Sequence, residues 1–512
     1  MNRKLILSMR TSIFLTMAIM LTFSSSRAVE WSGDHRLTTD SDVDWWPSIT
    51  ATTDGEIWVA WRSDRIGNDE IFYRYLDGLG WSPDTRLTWE DHTDNHPSIL
   101  ATSDGKIWVV WDSDRNENDQ NIYYKVFDGS EWSPDIQLTT DVSSDAYPSI
   151  MQTSDGKIWV IWASPRTGDS EIFCKIFNGT SWSNATQLTT DTAAQDWDPA
   201  IMQAADGLIW VVYTKTTGTK NDDIYFKVFD GSEWSNDWQM TFDENFDSHP
   251  SILQSIDGRI WIVWNSDRDD NDNIYYKVFD GIWSPETKLT THSSDDVVPS
   301  IAQATDQTIW VVWGTLRGAP LNFDIYYKLN FHDVAITDVT TPETLVMRGE
   351  TLSIEVTAVN LGTENETFEV QCYANSTHVG SDTISLTPRQ SDLLNIQWNT
   401  TGATPGVYII SATAVAVPGE GKLHDNSLTD GSVEVRIWGD ICGTYEVAPG
   451  IWETLPIPDG GVFSNDFLTA VGQFGTGYPT WHPVWGPACD VYKDNVIDID
   501  DLMIIAIHYG ET

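Results

Sequence analysis

The chain has 512 residues, 76 Asp and Glu against 29 Lys and Arg, a formal charge of -47, and 27 Trp beside 4 Cys. That length is enough for three or four domains. The missing basic surface argues against a nucleic-acid partner. The hydrophobic share of 40% with a mean hydropathy of -0.29 argues against a polytopic membrane protein, and the aromatic content argues against wholesale disorder.

In chain order, Arg3, Lys4 and Arg10 precede an apolar run from Ile13 to Phe23, and Ser26 and Ala28 supply the small residues of a cleavage site. Residues 1–28 are therefore expected to be a secretory signal, with an uncleaved anchor as the alternative. No later segment approaches 18 apolar residues, so no transmembrane span is expected after cleavage. Five sequons, at Asn178, Asn184, Asn365, Asn375 and Asn399, are compatible with export.

Between Trp31 and Phe331 a block of about 50 residues recurs. Trp-Ser pairs begin at Trp31, Trp81, Trp132, Trp182, Trp234 and Trp283, and Ile-Trp pairs place Trp58, Trp108, Trp159, Trp210, Trp261 and Trp310 in register. Each block reads as four short strands: A (Pro-Ser-Ile), B (Ile-Trp-Val-Val-Trp), C (Ile-Tyr-Tyr-Lys-Val) and D (Trp-Ser to Leu-Thr), bounded by Asp-Gly, Pro and Asn-Asp turns. Six blocks of four strands predict a six-bladed β-propeller over residues 29–332. The first block opens with D and the sixth ends with C, so the N-terminal D strand should complete the sixth blade and close the ring.

The consensus resembles the TolB-like, or WD40-like, propeller repeat, carried by Ser103-Asp104-Gly105-Lys106-Ile107 and by Ser113-Asp114-Arg115 ahead of Ile122-Tyr123. The turn also resembles the sialidase Asp-box but is one residue shorter. The resemblance implies a propeller fold and, since such propellers mostly serve as binding platforms, says little of activity.

Strand direction places the D-to-A and B-to-C loops on one face. There an Asp precedes each strand-A Pro by three residues, at Asp44, Asp94, Asp145, Asp196, Asp247 and Asp296. An Arg follows strand B in five repeats, at Arg65, Arg115, Arg166, Arg268 and Arg317, with Thr217 as the exception. These read as structural ion pairs, the alternative being a carboxylate ring that binds a cation. Directly before the same prolines the residue varies: Trp46, His96, Tyr147, Asp198, His249 and Val298. Variation on a constant scaffold fits a ligand-contact position, and it also fits drift. Most Trp occupy the first position of D or the two aromatic positions of B and read as core, leaving Trp45, Trp46, Trp89, Trp197 and Trp238 outside that pattern.

Residues 333–437 carry a different β pattern with sandwich spacing, including Ser353 to Val359, Thr367 to Tyr373 and Tyr408 to Ala414. Val359-Asn360-Leu361-Gly362, Pro405-Gly406-Val407-Tyr408 and Asp425-Asn426 resemble the CARDB type of Ig-like module, which implies a spacer or adhesion unit.

Residues 438–512 carry an EF-hand-like loop. Asp490, Asp494, Asp498 and Asp501 fall at its positions 1, 5, 9 and 12, with the Val496 carbonyl between them and a helix expected to follow. Tyr492 and Asn495 depart from the usual ligand and Gly. A degenerate copy lies upstream at Asp459 and Asp466, with Asp440 as its candidate first ligand, separated from Asp459 by a long insertion. The duplication resembles a dockerin, which implies structural Ca2+ and docking to a cohesin-like partner. The alternative is an acidic helix cap. Cys442 and Cys489, one in each half, are candidates for a disulfide after export, whereas Cys174 and Cys372 read as buried thiols.

The fold class expected is therefore mainly β: propeller, Ig-like sandwich and a small α dockerin-like module. The sequence shows no His-Glu-x-x-His, Gly-x-Ser-x-Gly or phosphate-cradling loop. A sialidase would need a converging arginine triad, which the repeat-bound arginines do not suggest. The first expectation is a secreted, non-catalytic binding or adhesion protein, not an enzyme, with an extracellular protein or polysaccharide as partner. The alternative is a secreted carbohydrate-active enzyme using the loop face of the propeller.

Overall fold

The computed structural model describes residues 31–115, 119–190, 194–217, 222–317 and 322–437, together with the backbone of two further strands, Gly443–Ala448 and Ile451–Leu455. Among the described residues the chain is mainly β, with one 3-10 turn, Thr400–Gly402, and no helix long and apolar enough to cross a membrane.

The repeats form six four-stranded antiparallel sheets among the described residues. In the first, strand A is Asp44–Ala51, B is Ile57–Ser63, C is Glu70–Leu76 and D is Thr85–Arg86. Each strand A packs against the strand A of the next sheet, and Asp296–Gln303 of the sixth packs back on Asp44–Ala51 of the first, so the sheets form a closed cycle. The Pro-Ser-Ile element explains itself here. Ser48 Oγ accepts from the Ile99 amide at 3.1 Å, and Ser300 Oγ accepts from the Ile49 amide at 3.2 Å across the closure.

The sixth sheet takes its D strand from the N-terminus: His35–Arg36 pairs with Asp324–Asn330, with Arg36 Nη2 2.8 Å from Asp324 Oδ1. Strand D is shorter than the sequence pattern suggests, a two-residue ladder plus one bridge at the Trp, such as Leu76 to Trp81. Ser82 explains the break, because its Oγ accepts from the Tyr75 amide at 2.9 Å and Pro83, which has no N–H, follows it. Strand C then clamps the sheet before it, with Lys125 Nζ donating to the Leu87 carbonyl at 2.8 Å and Lys328 Nζ to that of Leu289 at 2.9 Å.

The second aromatic of each strand B (Trp61, Trp111, Trp162, Tyr213, Trp264, Trp313) is fully buried between sheets. The first packs on the strand-D Trp of an adjacent sheet, as Trp108 on Trp182 at 6.4 Å and Trp310 on Trp81 at 6.1 Å. Cys174 and Cys372 are buried free thiols.

Residues 333–437 form two sheets over one core. A three-stranded sheet (Val334–Thr340, Thr351–Asn360, Ser391–Asn399) faces a five-stranded one containing Glu366–Ala374 and Gly406–Ala414, and Ile354, Phe368, Trp398 and Val433 share the space between. Asn360, from the CARDB-like stretch, donates to the carbonyls of Glu364 and Leu386 at 2.6 and 3.1 Å and accepts from the Gly362 amide. Gly421 sits so close to Asp306 of the ring that a Cβ there would fall 2.5 Å from it.

Residues 1–28, where a signal is expected, and Asp440, Asp459, Asp466, Asp490, Asp494, Val496, Asp498, Asp501, Cys442 and Cys489 lie outside the described residues. Beyond residue 437 the described strands Gly443–Ala448 and Ile451–Leu455 form an antiparallel hairpin in the insertion between Asp440 and Asp459, and the helix expected after Asp501 lies outside the described residues.

Candidate active site at the axial mouth

The residues before the six strand-A prolines share a backbone conformation that the sequence does not announce. Trp46, His96, Tyr147, Asp198, His249 and Val298 all have φ between +47 and +56°. Non-glycine residues rarely adopt this region, a β-branched Val least of all, and a following Pro ordinarily favours extended backbone. At each site where the register is traced the A–B ladder slips, as between Trp45 and Ser48. The slip turns the pre-proline side chain toward the axis. The neighbouring sheet holds several of the displaced amides: Asp112 Oδ1 accepts from the Tyr147 amide at 3.2 Å, and Thr214 Oγ1 accepts from that of His249 at 3.1 Å.

These residues and their prolines line a cavity of about 110 Å³ on the axis. Trp46 crosses it, its ring centroid 4.2 Å from His96, 4.9 Å from His249 and 5.6 Å from Tyr147, which belong to three other sheets. His249 Nε2 lies 3.0 Å from Asp198 Oδ2, and its Nδ1 lies 3.0 Å from Asn265 Oδ1. His96 Nδ1 lies 2.7 Å from Asp112 Oδ1, and Asp112 is fully buried.

Burial alone would push the His249 imidazole down, but the Asp198 carboxylate outweighs it and the group is raised. Around the same histidine, burial raises the carboxyls of Asp222 and Asp272, with Asp198 adding to the first and the Asn265 hydrogen bond opposing the second. Thr216 Oγ1 donates to Asp222 Oδ1 at 2.5 Å and accepts from Trp197 Nε1 at 3.0 Å. On the far side, Arg62 Nε lies 3.2 Å from Asp69 Oδ1, and its Nη1 donates to Asn95 Oδ1 at 3.0 Å.

The Asp and Arg of the repeat stand apart from this cluster. Arg65, Arg115, Arg166, Arg268 and Arg317 lie 2.8, 3.0, 2.5, 2.7 and 2.7 Å from Asp44, Asp94, Asp145, Asp247 and Asp296, each carboxylate fully buried. In the fourth sheet, where Thr217 replaces the Arg, Lys215 reaches Asp196 at 3.5 Å from two residues earlier on strand B. The geometry thus gives each repeat carboxylate a cationic partner.

Asp112, Asp222, Asp272, Asn265 and Arg62 are additions that the sequence reading missed. Their signal lies in the repeat alignment. The residue after the second strand-B aromatic (Arg62, Asp112, Ala163, Thr214, Asn265, Gly314) and the one two residues before the strand-C Ile (Asp69, Gln120, Ser170, Asp222, Asp272, Phe323) also vary from repeat to repeat.

No family model and no curated protein matches the chain. A protein of unknown function from Dyadobacter fermentans shares the ring fold at TM-score 0.51 and 14% identity, over 59% of this chain and 98% of that one. The GH93 alpha-L-arabinofuranosidase of Fusarium graminearum is similar at TM-score 0.48 and 11% identity, over 58% and 97% of the two chains. A CARDB domain from Pyrococcus furiosus, solved with two metal ions, is 26% identical over 21% of this chain and 96% of its own, at TM-score 0.18. The expectation of a non-catalytic binding protein, not an enzyme, is corrected at this point. Among the similar solved structures are several carbohydrate-active enzymes, an arabinanase and sialidases beside the arabinofuranosidase, which runs against that expectation. At such identities the likeness is one of fold and transfers no catalytic residue.

Proposed function

We propose that the protein is a secreted glycoside hydrolase whose site is the axial mouth of a six-bladed, TolB-like β-propeller, followed by an Ig-like, CARDB-type spacer. The observation that carries this reading is the grouping of Asp198, Asp222 and Asp272 about His249, where burial raises two of the three carboxyls. Glycoside cleavage needs one carboxyl that keeps its proton to donate to the leaving oxygen and a second, ionised one opposite the departing sugar. Asp222, buried and facing the charge of Asp198, suits the acid. Asp198, ion-paired with His249 and lining the cavity, suits the nucleophile or base. Trp46 and Tyr147 offer ring faces for the apolar side of a sugar.

The signal segment supports export. The C-terminal loop of Asp490, Asp494, Val496, Asp498 and Asp501, with Asp440, Asp459 and Asp466 in the degenerate copy, is proposed to hold structural Ca2+ and to dock a cohesin-like partner. Cys442 and Cys489 are the proposed disulfide.

The test is release of reducing sugar by the full chain from a panel of arabinan, xylan, glucan, chitosan and aryl glycosides, repeated with D198N and D222N. Turnover that falls by about a hundredfold or more in both variants, at unchanged melting temperature, is expected. Absence of turnover across the panel by the folded wild type, or full activity of D198N, overturns the assignment.

A further inference from the structure

We infer that the axial cavity is an ammonium-binding cage, and that the glycan it admits carries a protonated amine; the second half rests on the hydrolase reading above, the first does not. Size is the first argument. Pockets for whole drug-sized ligands run about 300–1,000 Å³. The axial cavity, at about 110 Å³, takes a head group while the rest of the ligand stays at the mouth.

Its walls are the second argument. Trp46 and Tyr147 stand with ring centroids 5.6 Å apart, His96 packing against both, and Trp and Tyr faces attract a cation through their quadrupole. Asp198 completes the lining with its side chain 5% exposed. Its Oδ2 faces His249, but its buried Oδ1 has no hydrogen-bond partner. A buried carboxylate oxygen without a donor is costly, and a ligand N–H placed in the cavity removes that cost.

The surrounding field is the third argument. Asp69, Asp112, Asp222 and Asp272 occupy the variable registers about the mouth. Arg62, the one Lys or Arg at those registers, is already held by Asp69 and Asn95. With a chain charge of -47, the mouth repels carboxylated, sulfated or phosphorylated sugars and concentrates cations. An amino-sugar glycan with a free amine meets all three conditions, whereas its N-acetylated form has lost the charge.

The experiment follows tryptophan fluorescence and calorimetric heat as the full-length protein is titrated with tetramethylammonium chloride, glucosamine, N-acetylglucosamine and glucose at constant ionic strength. Tetramethylammonium and glucosamine are expected to bind competitively and the other two at least about tenfold more weakly, with D198N losing about tenfold or more for both cations. Equal binding of glucosamine and N-acetylglucosamine overturns the cage, as does unchanged cation binding by a folded D198N. Should D198N not fold, failure of tetramethylammonium to displace glucosamine from the wild type overturns it equally. Cation binding without cleavage of any glycan keeps the cage and sinks the hydrolase; cleavage of neutral glycans without cation binding does the reverse.

Discussion

Replacing Arg115 with Met isolates what the repeated ion pairs contribute. In the native protein Arg115 Nη2 is 3.0 Å from both oxygens of Asp94, Nη1 is 2.7 Å from Asp135, Nε donates to Ser113 Oγ at 2.9 Å, and the guanidinium lies 4.4 Å from the centre of the Tyr123 ring. The two partners are 13% and 0% exposed, so solvent screens this pair little. Met keeps most of the stem's packing and removes the charge, leaving Asp94 ionised in a site where burial already raises its carboxyl. Breaking a buried pair in this way costs about 3–5 kcal/mol. At about 2 °C per kcal/mol, the low end for larger domains, the melting temperature should fall by about 6–10 °C in scanning calorimetry. Adding D94N to R115M removes the stranded charge and should restore a large part of the loss, while T217M in the fourth sheet should stay within about 0.5 kcal/mol. A loss below about 1 kcal/mol for R115M, the value of an exposed pair, would refute this account of the buried carboxylates.

Two further outcomes are expected. Burial and the nearby Asp247 carboxylate raise Asp223 to about 6. A raised carboxyl adds to stability while protonated and loses that contribution as pH rises through its folded value. D223N should therefore match the wild type near pH 4 and be more stable above pH 7 by roughly 2–3 kcal/mol, read as a difference in melting temperature across that range. Millimolar Ca2+ should raise the melting temperature of the full chain and do so much less in a D490N/D494N variant; equal shifts in the two would remove the C-terminal loop as the cause.

Much of the ring was legible because a repeat samples the same physics six times. Trp111 and Trp264 recur at one register, and only a buried aromatic suits that register in every sheet. The offset between the opening Trp31-Ser32 and the closing Asp324–Asn330 already implied that the N-terminus completes the last sheet. Strand D was overextended on paper, since Ser82 and Pro83 both interrupt a ladder that their neighbours would continue. The pre-proline positions were found by their variation. Asp222, Asp272 and Asn265 were not, although the same comparison of repeats would have exposed them.

By itself the sequence determined the number of sheets, the strand order within each and the closure, all of which depend on contacts local to one repeat or between neighbours. The tertiary structure alone decided the site. Trp46 meets His96, Tyr147 and His249 because a closed cycle brings the first residues of its inner strands to one axis, whatever their separation along the chain. The left-handed backbone that aims them inward is held by bonds from the adjacent sheet, such as Asp112 to the Tyr147 amide, and no local propensity predicts it. Lys215 likewise stands in for the missing Arg from a different register, a substitution that distance in space permits and spacing in sequence conceals.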